Sequence, residues 1–126
     1  MGQTDLGDLL ELARRLRDPE RGCPWDREQT LETSVKYILE EAGELKGAVE
    51  KKDVANMAEE MGDLLFCLAL FTAIVEETGS FKIDEVVKRV KEKIIRRHTW
   101  VFGDDKVETA EEALDLWRKN KLKERG

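Results

Sequence analysis

The sequence predicts an all-α protein: an antiparallel bundle of about four to five helices, completed by association between copies. Three observations predict it. Hydrophobic and charged residues each make up 40% of the chain, with nine Gly and only two Pro, a balance that suits amphipathic helices better than disorder or a β-sandwich. Apolar residues recur at helical spacing through most of the chain. Helix-starting and helix-stopping residues bracket those stretches. At 126 residues the chain reads as one domain, 1–126, small enough to gain stability by oligomerisation.

Each element has its own signal. Asp5 caps a first helix running to about Arg17, with Leu6, Leu9, Leu10, Leu12 and Ala13 as apolar positions, and Pro19 and Gly22 follow its end. The segment Arg21-Gly22-Cys23-Pro24-Trp25-Asp26 is turn-like, so Trp25 is expected in a structured loop rather than on a helix face. A second helix, about Leu31 to Lys51, carries Val35, Ile38, Leu39, Ala42, Leu45, Ala48 and Val49 as its apolar stripe and ends on Lys51 and Lys52. Asp53 caps a third helix reaching Thr78, with Gly79 as its stop. From Leu64 to Val75 this helix is apolar nearly all round, which predicts a central position or a subunit interface. A fourth, about Ile83 to Arg97, is expected to turn Val86, Val87, Val90, Ile94 and Ile95 inward and to give way at Trp100-Val101-Phe102-Gly103. Thr109 and Glu112 have capping-box spacing for a last helix from Ala110 to about Lys123.

Charge and cysteine usage narrow the function. A formal charge of -6 and a pI near 5.0 oppose an electrostatic grip on nucleic-acid polymers, so a phosphate-bearing ligand needs metal ions or a local basic patch. Cys23 and Cys67 are too few for a disulfide framework and wrongly spaced for zinc, as expected of free thiols in a reducing cytoplasm. The opening Met1-Gly2-Gln3-Thr4-Asp5 lacks the order of a secretion signal. The apolar run Leu64 to Val75 falls short of the roughly 20 residues that span a bilayer. A cytoplasmic protein, neither secreted nor membrane-embedded, is expected.

Among 28 acidic residues a lone Glu-x-x-Glu means little; direction is what matters. At about 100° per residue, Glu60 and Asp63 share a sector with Leu64, Cys67, Phe71 and Ile74. They form the polar start of an otherwise buried stripe. Ionised carboxylates at the mouth of a core are costly without compensation. Glu41 lies about 80° from the centre of its own stripe, with Glu44 one turn on, and the short connection around Lys51 to Asp53 makes the two helices antiparallel neighbours. Four carboxylates can then face one small space. Two explanations stand at this point: salt bridges to Lys or Arg, or a hard cation, Mg²⁺ with Mn²⁺ as a substitute. The absence of Glu-x-x-His argues against a di-iron bundle site.

The order Glu40-Glu41-x-x-Glu44, a gap, then Glu60-x-x-Asp63 resembles the signature of MazG-type nucleoside triphosphate pyrophosphohydrolases in the all-α NTP pyrophosphatase superfamily. The likeness extends to Cys23-Pro24-Trp25-Asp26 with Gln29-Thr30, to Glu60-Met61-Gly62-Asp63-Leu64-Leu65-Phe66, to Lys93-Ile94-Ile95-Arg96-Arg97-His98 with Val101-Phe102, and to Trp117 and Lys121. A multi-part match in fixed order is more specific than any single motif. One departure is that His98 precedes Thr99-Trp100 where many members have Pro-His. The resemblance implies hydrolysis of a nucleoside triphosphate between its α- and β-phosphates, giving the monophosphate and pyrophosphate, with housecleaning of the nucleotide pool as the expected role. It also implies a helical homodimer or homotetramer. Carried over by position, Glu41, Glu44, Glu60 and Asp63 become Mg²⁺ ligands and the catalytic set, Lys93 and Arg97 phosphate contacts, and Glu40 and Glu59 flanking carboxylates.

Several residues admit two readings. Trp25 either stacks on a nucleobase or anchors its loop. Trp117 and Lys121, at i, i+4 spacing, either close over bound nucleotide or are a packed aromatic and a surface lysine. Lys93 and Arg97 share a face as a triphosphate clamp requires, though solvated helices show such pairs too. His98 sits where a helix C-terminus favours positive charge and reads as structural, as do both cysteines. A rival to the enzyme is a non-catalytic helical oligomer that binds nucleotide or a partner protein through the same acidic groove.

Overall fold

A computed structural model describes residues 5–125, and every regular element among them is an α-helix. Residues 1–4, read above for the lack of a secretion signal, lie outside the described residues. In chain order the helices are α1 (Leu6–Leu16), α2 (Pro24–Glu28), α3 (Leu31–Glu50), α4 (Val54–Thr78), α5 (Ile83–Arg97), α6 (Thr99–Phe102) and α7 (Ala110–Arg125). The five expected helices are all present; α2 and α6 are short additions. No single helix among the described residues is long and apolar enough to cross a membrane. The chain divides between Lys82 and Ile83 into two compact units.

In the first unit α1 opens on a reciprocal cap: Asp5 Oδ1 accepts from the Asp8 amide at 3.1 Å, and Asp8 Oδ2 accepts from the Asp5 amide at 3.1 Å. The chain then turns sharply. Asp18 Oδ1 accepts from the Glu20 and Arg21 amides, both at 2.9 Å, and the Gly22 amide donates to the Asp18 carbonyl at 2.9 Å. A Cβ at Gly22 would stand 2.4 Å from the Leu16 carbonyl oxygen, so only glycine fits. The expected loop around Trp25 is instead the five-residue helix α2, because Pro24 takes its first position with φ already set for a helix and no amide to satisfy.

Arg17 joins three of these pieces. Its side chain is only 9% exposed. The guanidinium forks onto Glu77 at the end of α4, at 2.6 and 2.8 Å, and donates to the carbonyls of Asp26 at 2.6 Å and Gln29 at 3.0 Å. Arg14 adds a second fork from α1 to Glu76, at 2.9 and 2.8 Å.

The two longest helices, α3 and α4, form an antiparallel hairpin closed at Lys51–Asp53, where Lys52 takes a left-handed φ of 57°. Thr30 and Thr33 cap α3 reciprocally, Asp53 Oδ1 caps α4 through the Asn56 amide at 3.2 Å, and Gly79 ends α4 at φ 72°. The C-terminal half of α4 supplies the core, with Leu70, Ala73, Ile74 and Val75 buried beside Ala13 and Ala48.

The orientation of α3 differs from the expected stripe. Its inward face carries Ser34, Tyr37, Ile38, Glu41, Leu45 and Ala48, all buried or half-buried. Val35, Ala42, Leu39 and Val49, expected inside, are exposed, the last two at 68% and 53%. Helical spacing fixes which residues share a face, but α3 has an apolar sector too wide for one neighbour, and α4 takes its edge.

In the second unit α5 and α7 pack together, and the Asn120 amide on α7 donates to the Arg97 carbonyl and Thr99 Oγ1, both at 3.1 Å. Thr109 caps α7 through the Glu112 amide at 3.1 Å, while Glu112 reaches back to the Glu108 amide at 3.0 Å rather than to Thr109. The stretch 100–103, expected to break the helix, lies mostly in the single turn α6, whose C-cap is Gly103. Val86, Val87, Val90, Ile94 and Ile95, expected inside, are all exposed, because α7 covers too little of α5.

Arg17→Ala removes four charge-assisted hydrogen bonds at once, so thermal unfolding followed by circular dichroism should show a drop in Tm of roughly 5 °C or more. Arg17→Lys, which keeps the charge but loses the planar fork, should recover little of that loss.

Candidate functional site

The inward turn of α3 and the first half of α4 bring carboxylates face to face. Glu41, Glu60 and Asp63 each offer an oxygen, and the three oxygens lie within 4.8 Å of one another. Glu44, one turn on from Glu41, stands within hydrogen-bonding reach of Glu60 and Glu41. The four residues singled out from the sequence thus converge.

Their electrostatics are those of like charges held together. The Glu60 carboxyl is pushed up to about 7, first by its hydrogen bond with Glu44, then by burial and by Glu41. Burial, together with Glu44 and Asp63, raises Glu41. No ion pair among the described residues involves any of the four acids; Arg14, Arg17, Arg96 and Arg97 are bridged to Glu11, Glu76, Glu77 and Glu124, and Lys46 to Glu50. Of the two explanations left open by the sequence, salt bridges are therefore not the one this structure displays. Glu41 Oε2 and Glu60 Oε2 are buried with no hydrogen-bond partner. Buried acceptors without a donor are rare, and a cluster of hard oxygen donors fits a Mg²⁺-type cation.

Beside the acids lies a cavity of about 310 Å³ with Glu41 and Asp63 along one edge and Trp25, Tyr37, Phe66 and Leu70 among its other walls. Trp25, on α2 and 51% exposed, faces Tyr37 with ring centroids 5.6 Å apart and planes tilted by 57°. Gln29 Nε2 donates to the Trp25 carbonyl at 2.9 Å, so the segment carrying this aromatic is tied to the start of α3. Ser34, Tyr37 and Phe66 are wall residues that sequence reasoning missed. The signal was present: Ser34 and Tyr37 sit seven and four residues before Glu41 on its face of α3, and Phe66 sits three after Asp63. Cys67 also lines the cavity, and burial with the neighbouring acids raises its thiol pKa, the opposite of what a nucleophilic cysteine needs.

The remaining candidates lie in the second unit, where Arg97, Trp117 and Lys121 meet. The Arg97 guanidinium stands 5.2 Å from the centroid of the Trp117 ring and the Lys121 ammonium 5.4 Å from it, in cation–π range. Arg97 is only 12% exposed and donates to Glu124 Oε2 at 2.9 Å, while Arg96 donates to Glu124 Oε1 at 2.7 Å. Arg97 thus braces α5 against α7 as well as presenting positive charge. Lys93, one turn earlier, has no ion-pair partner among the described residues. His98 Nδ1 lies 2.6 Å from the Ile94 carbonyl oxygen and its ring packs on Trp100, the structural role expected of it. Both cysteines are free thiols.

Comparison with known proteins identifies the family of the chain. Residues 29–102, more than half of the chain, match the family model of the MazG nucleotide pyrophosphohydrolase domain. A nucleoside triphosphate pyrophosphohydrolase of Escherichia coli is 40% identical over 125 residues, covering 99% of this chain and 47% of that protein. The nucleoside triphosphate pyrophosphohydrolase/pyrophosphatase MazG of Thermotoga maritima is 43% identical over 97 residues, 77% of this chain and 38% of that protein. The chain therefore spans about half the length, or less, of these curated relatives. A crystal structure of a MazG-related protein from Thermotoga maritima superposes with a TM-score of 0.77 at 33% identity, covering 92% of this chain and 98% of that one. With its carboxylates in the expected order on paired helices and its sequence matched across most of its length, the chain belongs to the MazG nucleotide pyrophosphohydrolase domain family.

Proposed function

We propose that this chain hydrolyses nucleoside triphosphates between the α- and β-phosphates, releasing nucleoside monophosphate and pyrophosphate in a Mg²⁺-dependent reaction. The observation that carries the proposal is the set of carboxylates without a basic partner at the edge of an aromatic-walled cavity. Family membership and relatives named as nucleoside triphosphate pyrophosphohydrolases support it.

Glu41, Glu44, Glu60 and Asp63 would hold the cation, with Mn²⁺ as a substitute. A bound divalent cation supplies positive charge to the phosphates and makes water acidic enough to act as a nucleophile near neutral pH. One of the four carboxylates orients the attacking water and accepts its proton as the P–O bond of the α–β bridge breaks. Lys93 and Arg97 contact the phosphates, Trp117 and Lys121 close over the nucleotide, and Trp25 forms a wall for the base. A role in removing canonical or damaged triphosphates from the cytoplasmic nucleotide pool follows from that chemistry. The exposed Val35, Leu39 and Val49 of α3 and the uncovered apolar residues of α5 favour association into a homodimer or homotetramer.

Glu41→Gln and Asp63→Asn should each abolish most pyrophosphate release from a panel of NTPs and dNTPs while leaving the helical circular dichroism unchanged. Full activity in either variant contradicts the metal-ligand assignment. Wild-type turnover should require Mg²⁺ and stop with EDTA; tight nucleotide binding without turnover would instead favour the non-catalytic oligomer.

The same cluster makes a stability prediction. A carboxyl whose folded pKa is raised above its unfolded value stabilises the fold below the unfolded value and loses that contribution as pH rises. For Glu60 the window runs from the ordinary carboxylate value near 4.5 to about 7. Without divalent cation, Glu60→Gln should therefore be at least as heat-stable as wild type at pH 8, and adding Mg²⁺ should raise the wild-type Tm more than that of the variant. A Glu60→Gln protein that melts well below wild type in EDTA at pH 8 would mean the cluster is already neutralised by something else.

Lys93→Ala should lower kcat/KM about tenfold or more for every base while leaving Tm nearly unchanged, since no ion pair among the described residues involves it. An effect confined to one base would move Lys93 to base recognition.

A further inference from the structure

We propose that Glu124 is a positioning residue whose carboxylate fixes the guanidinium of Arg97, so that the free Nη1 edge is presented to a phosphate of the nucleotide; the proposal rests on the nucleotide-hydrolase reading above and on the phosphate contact given there to Arg97.

One stripe of α7 serves Arg97. Trp117, Asn120, Lys121 and Glu124 recur at the i, i+3, i+4, i+7 spacing of a single helix face. The Trp117 ring centroid stands 5.2 Å from the guanidinium carbon. The buried Asn120 amide donates to the Arg97 carbonyl at 3.1 Å and so holds the backbone at the end of α5. Glu124 takes one edge of the guanidinium: Arg97 Nε donates to Oε1 at 3.3 Å and to Oε2 at 3.2 Å, and Nη2 donates to Oε2 at 2.9 Å. Backbone, ring face and one edge are thus fixed by the same helix. The other nitrogen, Nη1, makes no hydrogen bond among the described residues and, unlike the orphaned oxygens of Glu41 and Glu60, is not closed off from solvent. Its two N–H groups are donors held in place with nothing to donate to.

Charge and orientation pull in opposite directions here. A carboxylate beside a phosphate-binding arginine lowers the local positive potential, and Glu124 is ionised at any working pH, because its hydrogen bonds from Arg97 and then Arg96 hold its carboxyl down to about 2. On charge alone Glu124 opposes the binding of an anion. Orientation favours it. An arginine side chain has much rotamer freedom to lose when it grips a phosphate, and a guanidinium fixed before the substrate arrives loses little at the moment of reaction. Arg96, 54% exposed, donates to Glu124 Oε1 at 2.7 Å and supplies a second tie between α5 and α7. Breaking that tie leaves the fork from Arg97 to Glu124 in place, so bracing and positioning are separable.

The test compares Glu124→Gln, Arg96→Ala, Arg97→Ala and the combination of Glu124→Gln with Arg97→Ala, each in the full chain and well below its Tm. The first readout is calorimetric titration with pyrophosphate in Mg²⁺, which needs no turnover. The second is kcat/KM for purine and pyrimidine triphosphates. Glu124→Gln should weaken pyrophosphate binding and lower kcat/KM about tenfold for every base, although it removes a negative charge. Arg97→Ala should lose at least as much, and adding Glu124→Gln to it should change either readout by less than about twofold, because the two residues act as one. Arg96→Ala should also change them by less than about twofold. Unchanged or tighter binding in Glu124→Gln, beside a loss in Arg97→Ala, overturns the positioning role and leaves the phosphate contact standing. A loss that persists undiminished without Arg97, or that Arg96→Ala matches, makes Glu124 a brace and overturns the role as well. Full function in Arg97→Ala, or a wild type that neither binds pyrophosphate nor hydrolyses triphosphates, sinks the proposal and the phosphate contact together. Pyrophosphate binding that depends on Glu124 in a protein that hydrolyses no triphosphate sinks the hydrolase reading alone.

Discussion

Everything in the first unit is arranged around carboxylates that repel one another between two packed helices. Glu41 and Glu60 each bury an oxygen that nothing donates to, with Glu44 raising the cost of ionising both and Asp63 that of Glu41. An antiparallel helix pair would pack more stably with apolar residues at these positions. The hairpin of α3 and α4 tolerates the cluster because stability is supplied elsewhere: by the buried C-terminal half of α4, and by the Arg14 and Arg17 forks that fasten α1 to that half. The core and the acid cluster thus occupy opposite halves of one long helix.

Arg17 links that division to the aromatic wall. The guanidinium that grips Glu77 also holds the carbonyls of Asp26 and Gln29, which flank the end of α2 and the start of α3. Trp25 is therefore placed by the stable end of the molecule rather than by the acids it stands near.

Much of this was legible in the sequence, for identifiable reasons. Helix ends were readable because Asp5, Thr109 and Gly79 act through local backbone chemistry. Convergence of the acids was readable because the tight turn at Lys51–Asp53 leaves the two helices little choice but to pair. What escaped was rotation and context. Periodicity put Val35, Leu39 and Val49 inside, whereas α3 turns Ser34, Tyr37 and Glu41 toward α4; a wide apolar sector does not say which of its edges meets the neighbour. The loop around Pro24 became a helical turn because its long-range ties to Arg17 stabilise five residues that would not hold a helix alone. Arg17 itself carried no sequence signal, since its partners lie 9 to 60 residues away.

If the unpaired carboxylates form one divalent-cation site, the chain takes up Mn²⁺ without nucleotide. Electron paramagnetic resonance of Mn²⁺ titrated into the nucleotide-free chain tests it most directly, because free Mn²⁺ gives a sharp signal that binding broadens away. The signal should be lost saturably, with the loss competed by excess Mg²⁺ and absent from a variant carrying both Glu41→Gln and Asp63→Asn. A signal that stays at the free-ion level in the wild type, or that is lost equally in the double variant, would contradict it.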